Sequence, residues 1–115
     1  MHERIFEVVE PGMKKNELVA EIYRSGIVGI DGIGGDYPAI VPLLPSGADA
    51  GAPPLTWDDK PIPGDAGTFF EIAGCYKRYH APLSLPVHLG QPAQPFLDAE
   101  NALTERLPTR LAPHK

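Results

Sequence analysis

The distribution of proline and glycine is the feature that most limits how this chain can fold. The sequence holds 14 prolines and 12 glycines, and more than half of them lie between residues 26 and 63. Proline breaks the hydrogen-bonding pattern of a helix interior, and glycine weakens both helices and strands. The middle of the chain is therefore predicted to be rich in loops, with regular structure on either side of it.

The apolar pattern on the two sides predicts three helices and a β-hairpin, with one further strand between them. The predicted helices are 3–9, 16–25 and 95–107, and the predicted strands are 39–44, 67–72 and 79–89. Gly26 and Pro108 are expected to end the second and third helices. This order is an α+β pattern with an antiparallel sheet, in which the apolar faces of the helices and the sheet form one thin core.

Composition excludes several classes of function. The chain has 115 residues, which suits one small domain, and a formal net charge of −5 with no cluster of basic residues. Nucleic-acid binding is not expected, because it requires grouped Lys and Arg. No apolar run is long enough for a membrane helix, and the charged N-terminus does not resemble a signal peptide. A single cysteine, Cys75, cannot form an intrachain disulfide, so the cytoplasm is the expected location.

Glu71 is the acidic residue that stands out, because it lies inside the apolar run TFFEIAG. Strand alternation places Phe69, Glu71 and Ala73 on one face and Phe70 and Ile72 on the other. The carboxylate is then either on a solvated face, which composition favours, or buried opposite a cation, a hydrogen-bond donor or a substrate.

Three other residues are candidate neighbours of a pocket. Trp57 could form a pocket wall or anchor the core, His80 could reach a pocket at the hairpin or lie on the surface, and Tyr79 precedes His80 in the same predicted strand. None of the four histidines has the spacing of a metal site, and Cys75 has no histidine partner that the sequence identifies.

Several segments taken together resemble one enzyme superfamily. They are EVVEPGMKKNELVAEIY, PSGADAGAPP and EIAGCYKRYHAPLSLP, and they resemble the helix–turn–helix, the small-residue turn and the hairpin of the creatinase/aminopeptidase "pita-bread" superfamily. GGDYPAIVPLLPSGADA, LTWDD and TFFEIAGCYKRYH are most similar to its ectoine hydrolase branch. The resemblance implies a partial pita-bread fold, a curved antiparallel sheet backed by helices. Residues 1–115 would be the first half of the catalytic domain, with Met1 inside its first helix and 108–115 a frayed tail.

The resemblance also implies a chemistry. Metal-dependent members bind two metal ions through two Asp, one His and two Glu; Glu71 stands at the first Asp position and Pro82 at the second, so neither a metal nor another cofactor is expected. In the metal-free branch a histidine acts as general acid and base, but Pro54 stands at its position, so no catalytic residue is assigned. Glu71 would hold the protonated nitrogens of ectoine or a related amidine, with Trp57, Tyr79 and His80 nearby, during hydrolysis of a ring C–N bond.

Two other functions remain open. One is an Xaa-Pro aminopeptidase or creatinase-type hydrolase of the same superfamily, which would need a complete set of ligands. The other is a non-catalytic fragment that associates with a full-length relative through an uncovered sheet, and such a sheet would also permit a homo-oligomer. Whether this chain is an enzyme on its own is left undecided by its sequence.

Overall fold

The computed structural model describes residues 1–52 and 55–111. It contains helices α1 (His2–Val8), α2 (Lys15–Val28) and α3 (Gln94–Leu111), a short 3₁₀ helix (Gly47–Gly51), and strands β1 (Ala66–Tyr76) and β2 (Tyr79–Leu89). The strands form a two-stranded antiparallel sheet. The predicted α+β class and the hairpin are therefore confirmed.

Helices α1 and α2 pack together beside the sheet. Ile5 of α1 and Leu18 and Ile22 of α2 are fully buried. At their polar sides, Arg4 Nη2 lies 2.8 Å from Glu21 Oε2, which joins the two helices. The apolar face predicted for α2 thus packs against the core, while its charged face carries this ion pair.

The predicted end of α2 at Gly26 is wrong, because the helix continues to Val28. Gly29 ends it with a φ of +76°, a left-handed conformation that glycine adopts without strain. At Gly26 the missing side chain instead makes room for Met1, whose Sδ would lie 3.1 Å from a Cβ built there. Gly26 therefore serves the packing of α1 on α2.

The hairpin turns more tightly than the sequence suggested. Its register runs from Ala66 opposite Leu89 to Tyr76 opposite Tyr79, so only Lys77 and Arg78 form the turn. Both have positive φ, 48° and 65°, as a two-residue hairpin turn of type I′ requires. Cys75, which lies between the predicted strands 67–72 and 79–89, is instead buried within β1.

The strand predicted at 39–44 is present only as isolated bridges along the free edge of β1. Leu43 and Glu71 exchange backbone hydrogen bonds of 3.0 and 3.1 Å, and the Phe69 N–H donates to the Pro45 carbonyl at 3.0 Å. Pro45 has no N–H with which to return that bond, so the pairing is limited to the isolated bridges Leu43–Glu71 and Ser46–Thr68.

The core lies on one side of the hairpin, between β1 and the first two helices. Its members are buried aliphatic and aromatic side chains from both helices, both strands and the connecting segments: Ile5, Leu18, Val19, Ile22, Leu44, Ile62, Phe70, Ile72 and Val87. The other sheet face has no such cluster among the described residues.

Helix α3 follows β2 and contacts it through the rings of His88 and Phe96, whose centroids are 5.7 Å apart. Pro108 does not end it, since α3 extends to Leu111. A proline inside a helix removes one main-chain hydrogen bond, but the helix can resume beyond it. Residues 112–115 of the predicted frayed tail lie outside the described residues.

Candidate functional site

Glu71 lies on the open face of the hairpin. Its neighbours in β1, Phe70 and Ile72, are 0% and 2% exposed and point into the core, whereas Glu71 is half-buried on the opposite face. Its backbone is held from both sides, by the bonds to Leu43 and by the pairing with Ser84 of β2. Among the described residues no donor contacts its carboxylate, so both oxygens can accept hydrogen bonds from a protonated ligand nitrogen.

The residues opposite Glu71 do not fit a dinuclear metal centre. Ala73 pairs with Pro82, so Pro82 lies on the same sheet face as Glu71, one step along the hairpin. A second carboxylate at this position would face Glu71, but proline offers no donor atom. Within residues 1–52 and 55–111, no group of three or more His, Cys, Asp or Glu side chains could hold an ion. The chain itself therefore provides one carboxylate where a metal pair would need several.

His80 is occupied by two hydrogen bonds to the backbone. Its Nε2 lies 2.9 Å from the Ala39 amide nitrogen, and its Nδ1 lies 3.0 Å from the Arg78 carbonyl oxygen. Because the amide N–H must donate to Nε2, the proton of a neutral ring is on Nδ1 and donates to the carbonyl. His80 thus connects the hairpin to the loop before residue 40, and both ring nitrogens are used.

Tyr79 borders an apolar groove of about 750 Å³. The groove lies between the start of α1, the loop after α2 and the tip of the hairpin, and Met1, Ile33 and Leu83 contribute to its walls. Tyr79 is 83% exposed there. His2 also lines the groove, and burial, aided by the N-terminal ammonium group, lowers the pKa of its imidazole.

Trp57 lines a second, smaller cleft of about 320 Å³. Its indole ring is half-buried against the core and meets the ring of Tyr23 edge-on, with centroids 6.3 Å apart and planes at 79°. Trp57 therefore combines both roles that the sequence left open, since it anchors the core and forms a cleft wall.

The four predicted substrate-binding residues do not surround one cavity in this chain. Tyr79 borders the groove, Trp57 lines the cleft, and Glu71 and His80 line neither.

Lys15 is a residue that the sequence reasoning missed. It is 4% exposed, and its Nζ lies 3.3 Å from Asp58 Oδ1 at the edge of the Trp57 cleft. Positions 15, 18, 19 and 22 follow the helical repeat, so extending the apolar face of α2 by one turn would have placed this lysine on the buried side.

Asp58 is held by two lysines. Its Oδ1 accepts the Lys60 N–H at 3.1 Å, and its Oδ2 lies 3.5 Å from Lys60 Nζ. Desolvation tends to raise the pKa of the Asp58 carboxyl, but the Lys60 backbone bond and the Lys15 ammonium outweigh it and leave the pKa below its ordinary value. The carboxylate is thus charged at neutral pH.

Two solved structures have the same fold as this chain. The prolidase of Pyrococcus horikoshii superposes on 99% of this chain with a TM-score of 0.80, at 18% sequence identity and over 32% of its own length. The Xaa-Pro aminopeptidase of Thermotoga maritima covers 90% of this chain with a TM-score of 0.74, at 19% identity and over 28% of its own length. At these identities the superpositions show the fold, which is the partial pita-bread fold that the sequence predicted.

The model of metallopeptidase family M24 matches residues 1–108, and the chain belongs to this family. It is 61% identical over 110 residues to the ectoine hydrolase of Halomonas elongata, an alignment that covers 91% of this chain. It is also 32% identical over 111 residues, or 96% of its length, to an uncharacterised hydrolase/peptidase of Sinorhizobium fredii. The chain spans 28% of the length of each of these relatives.

Proposed function

We propose that this chain is the first part of the catalytic domain of an ectoine hydrolase, and that it needs the remainder of such a protein for activity. The 61% identity to the Halomonas elongata ectoine hydrolase is the observation that supports this substrate. Residues 1–115 would form a single partial domain, with 108–115 as its tail.

Glu71 would recognise the charged part of the substrate. Ectoine contains a ring amidine, which carries a positive charge shared between two nitrogens when protonated. A carboxylate without a partner, on a rigid strand, can accept charge-assisted hydrogen bonds from these nitrogens and hold the ring in place. Water would then add to the amidine carbon and a ring C–N bond would break, giving an N-acetyl-diaminobutyrate.

The chain lacks an evident group to activate that water. The position that carries the catalytic histidine in this branch is Pro54, which lies outside the described residues. A proline side chain cannot accept or donate a proton. His80, the histidine closest in the chain to Glu71, already uses both ring nitrogens. We therefore expect the isolated chain to bind weakly and to turn nothing over.

The remaining features of the proposal concern the protein's surroundings. No helix within the described ranges has the length and apolarity that a membrane span requires. We place the protein in the cytoplasm, with a small-molecule substrate, no nucleic-acid partner, and an open sheet face through which it could form a homo-oligomer.

A chimera tests the proposed function. Residues 1–108 replace the matching segment of the Halomonas elongata ectoine hydrolase, with Pro54 retained in one version and Pro54→His in another. Ectoine consumption and appearance of the acetylated product are followed by chromatography. We expect turnover by the Pro54→His chimera and none by the isolated chain.

Glu71 is tested in the active chimera. Glu71→Gln keeps the shape but loses the charge, and we expect kcat/KM to fall by roughly 100-fold, as for loss of a strong charge-assisted bond. Glu10→Gln, at an exposed site, is the matched control and should be neutral. An active Glu71→Gln enzyme would remove Glu71 from the site, and a chimera that is folded but inert toward ectoine in both Pro54 versions would refute the function.

The fold similarity to prolidases and an aminopeptidase supports a second candidate, a peptidase. The same chimeras assayed with an Xaa-Pro dipeptide, with and without added divalent metal, separate the two. Cleavage of the dipeptide but not of ectoine would favour the peptidase. A non-catalytic role would be indicated if both chimeras were inert and the 115-residue chain bound a full-length relative.

A further inference from the structure

Lys15 is an unusual residue for its position. It is the first residue of α2, at the positive end of the helix dipole, and only 4% of its surface is exposed. A buried cation at the N-terminal end of a helix is disfavoured both by desolvation and by the dipole. Apolar replacement of a buried ion pair is often neutral or stabilising, so stability alone does not account for this lysine.

The contacts of Lys15 all lead to one segment, residues 55–62. Its ammonium group contacts Asp58, and its N–H donates to the Lys60 carbonyl at 3.1 Å. On either side, the Ile62 N–H donates to Met13 at 2.8 Å, and the Gly12 N–H donates to Ile62 at 2.9 Å. The backbone bonds fix residues 60–62, whereas the polar contacts at residues 57 and 58 run through the Asp58 side chain, and the Trp57 ring packs against Tyr23.

Trp57 precedes Asp58 and forms a wall of the cleft that Lys15 and Asp58 also line. A cleft of about 320 Å³ is close to the lower limit for small-molecule sites, and its lining combines one aromatic wall with charged and polar side chains. The ion pair therefore lies where it can set the position of an aromatic surface next to a small ligand.

We propose that Lys15 is a positioning residue, which acts through Asp58 to hold the Trp57 indole as a wall of the substrate site. This inference rests on the proposed function for the identity of the substrate. Lys15 itself need not touch the substrate. Its loss would let the segment at 57–58 move, and a displacement of about 1 Å near a reacting group can cost roughly 100-fold in rate.

Fluorescence tests the positioning without reference to activity. Trp57 is the only tryptophan in the 115-residue chain, so intrinsic emission reports on it alone. Lys15→Met should shift the emission to longer wavelength and raise acrylamide quenching roughly twofold, because the half-buried ring becomes more exposed. Lys14→Met is the matched control: it removes the exposed ammonium of the neighbouring lysine, which forms no ion pair with Asp58 among the described residues, and should leave the emission unchanged.

Kinetics in the Pro54→His chimera test the consequence for the substrate. Lys15→Met should raise KM for ectoine roughly tenfold at temperatures where circular dichroism shows a folded protein, and Lys15→Arg should recover much of the loss. Lys14→Met should match the parent chimera. If Lys15→Met does not fold, Asp58→Asn replaces it in both measurements, with the same expected results.

The outcomes separate this inference from the proposed function. A chimera without ectoine turnover refutes the proposed function. The Trp57 fluorescence measurement does not depend on turnover, so it still tests whether Lys15 positions Trp57. Unchanged Trp57 emission in Lys15→Met would overturn the positioning even if activity fell. An altered emission with unchanged KM in an active chimera would reduce Lys15 to a structural residue and overturn its role at the site.

Discussion

Ile72 and Leu83 offer a direct test of how far the core extends across the hairpin. They are cross-strand partners and so lie on the same sheet face, yet Ile72 is 2% exposed under the helices and Leu83 is 57% exposed beside the groove. Truncating a buried isoleucine to alanine removes its burial and leaves a cavity, at a cost of about 3 kcal/mol. Truncating Leu83 removes a side chain that is mostly in water and leaves no closed cavity, so about 1 kcal/mol is expected.

These energies translate into melting temperatures. At about 2 cal/mol/K per residue, unfolding 115 residues carries an entropy of about 0.24 kcal/mol/K, so Ile72→Ala should lower Tm by about 12 °C and Leu83→Ala by about 4 °C. Thermal unfolding followed by far-UV circular dichroism measures the two Tm values, and urea unfolding followed by Trp57 emission measures the two free energies of unfolding. Equal losses would refute a core that covers Ile72 and leaves Leu83 outside it. If the Leu83 loss also grew with protein concentration, the groove would be covered by a second copy in solution.

Three further predictions concern single contacts. Asp58 has a lowered pKa in the fold, so its stabilisation is complete above the ordinary aspartate pKa and is lost as pH falls through the folded value; Asp58→Asn should flatten the acid limb of a stability-against-pH curve measured by urea unfolding. A Cβ at Gly35 would lie 2.0 Å from a backbone carbonyl of α2, so Gly35→Ala should lower Tm clearly, while Gly51→Ala, with open space around it, should not. His80→Phe removes the acceptor of the Ala39 amide, and hydrogen exchange at that amide should become faster than in the parent, whereas unchanged exchange would mean the bond is not formed in solution.

Sequence patterns were most informative where local and tertiary preferences agree. Strand alternation correctly placed Phe70 and Ile72 on the face opposite Glu71, and the structure shows that the face of Phe70 and Ile72 packs into the core. The family resemblance was also confirmed. It rested on several segments taken together, none of which would have identified the family alone.

Sequence rules failed where a residue has a tertiary role. Gly26 was expected to end α2, but it provides space for Met1, and the left-handed φ falls at Gly29. The strand at 39–44 was reduced to bridges because Pro45 cannot return a hydrogen bond to Phe69. Lys15 was overlooked because the second helix was predicted to begin at residue 16, although α2 begins at Lys15 and this position faces the core. Such effects depend on which segment lies opposite, which local patterns do not encode.

The open face around Glu71 explains why this chain should not act alone even with a histidine at position 54. Ser84 and Pro82, which lie on the same face, are exposed, so water reaches the carboxylate from that side. In water, an attraction between unit charges 4 Å apart is worth only about 1 kcal/mol, and it grows several-fold when solvent is excluded. The chain spans 28% of its curated relatives, and the rest of such a protein would have to cover this face. Under the proposed function, Glu71 would therefore bind a cationic amidine tightly only within such a longer protein, and restoring the proton-transfer group without that cover should restore little activity.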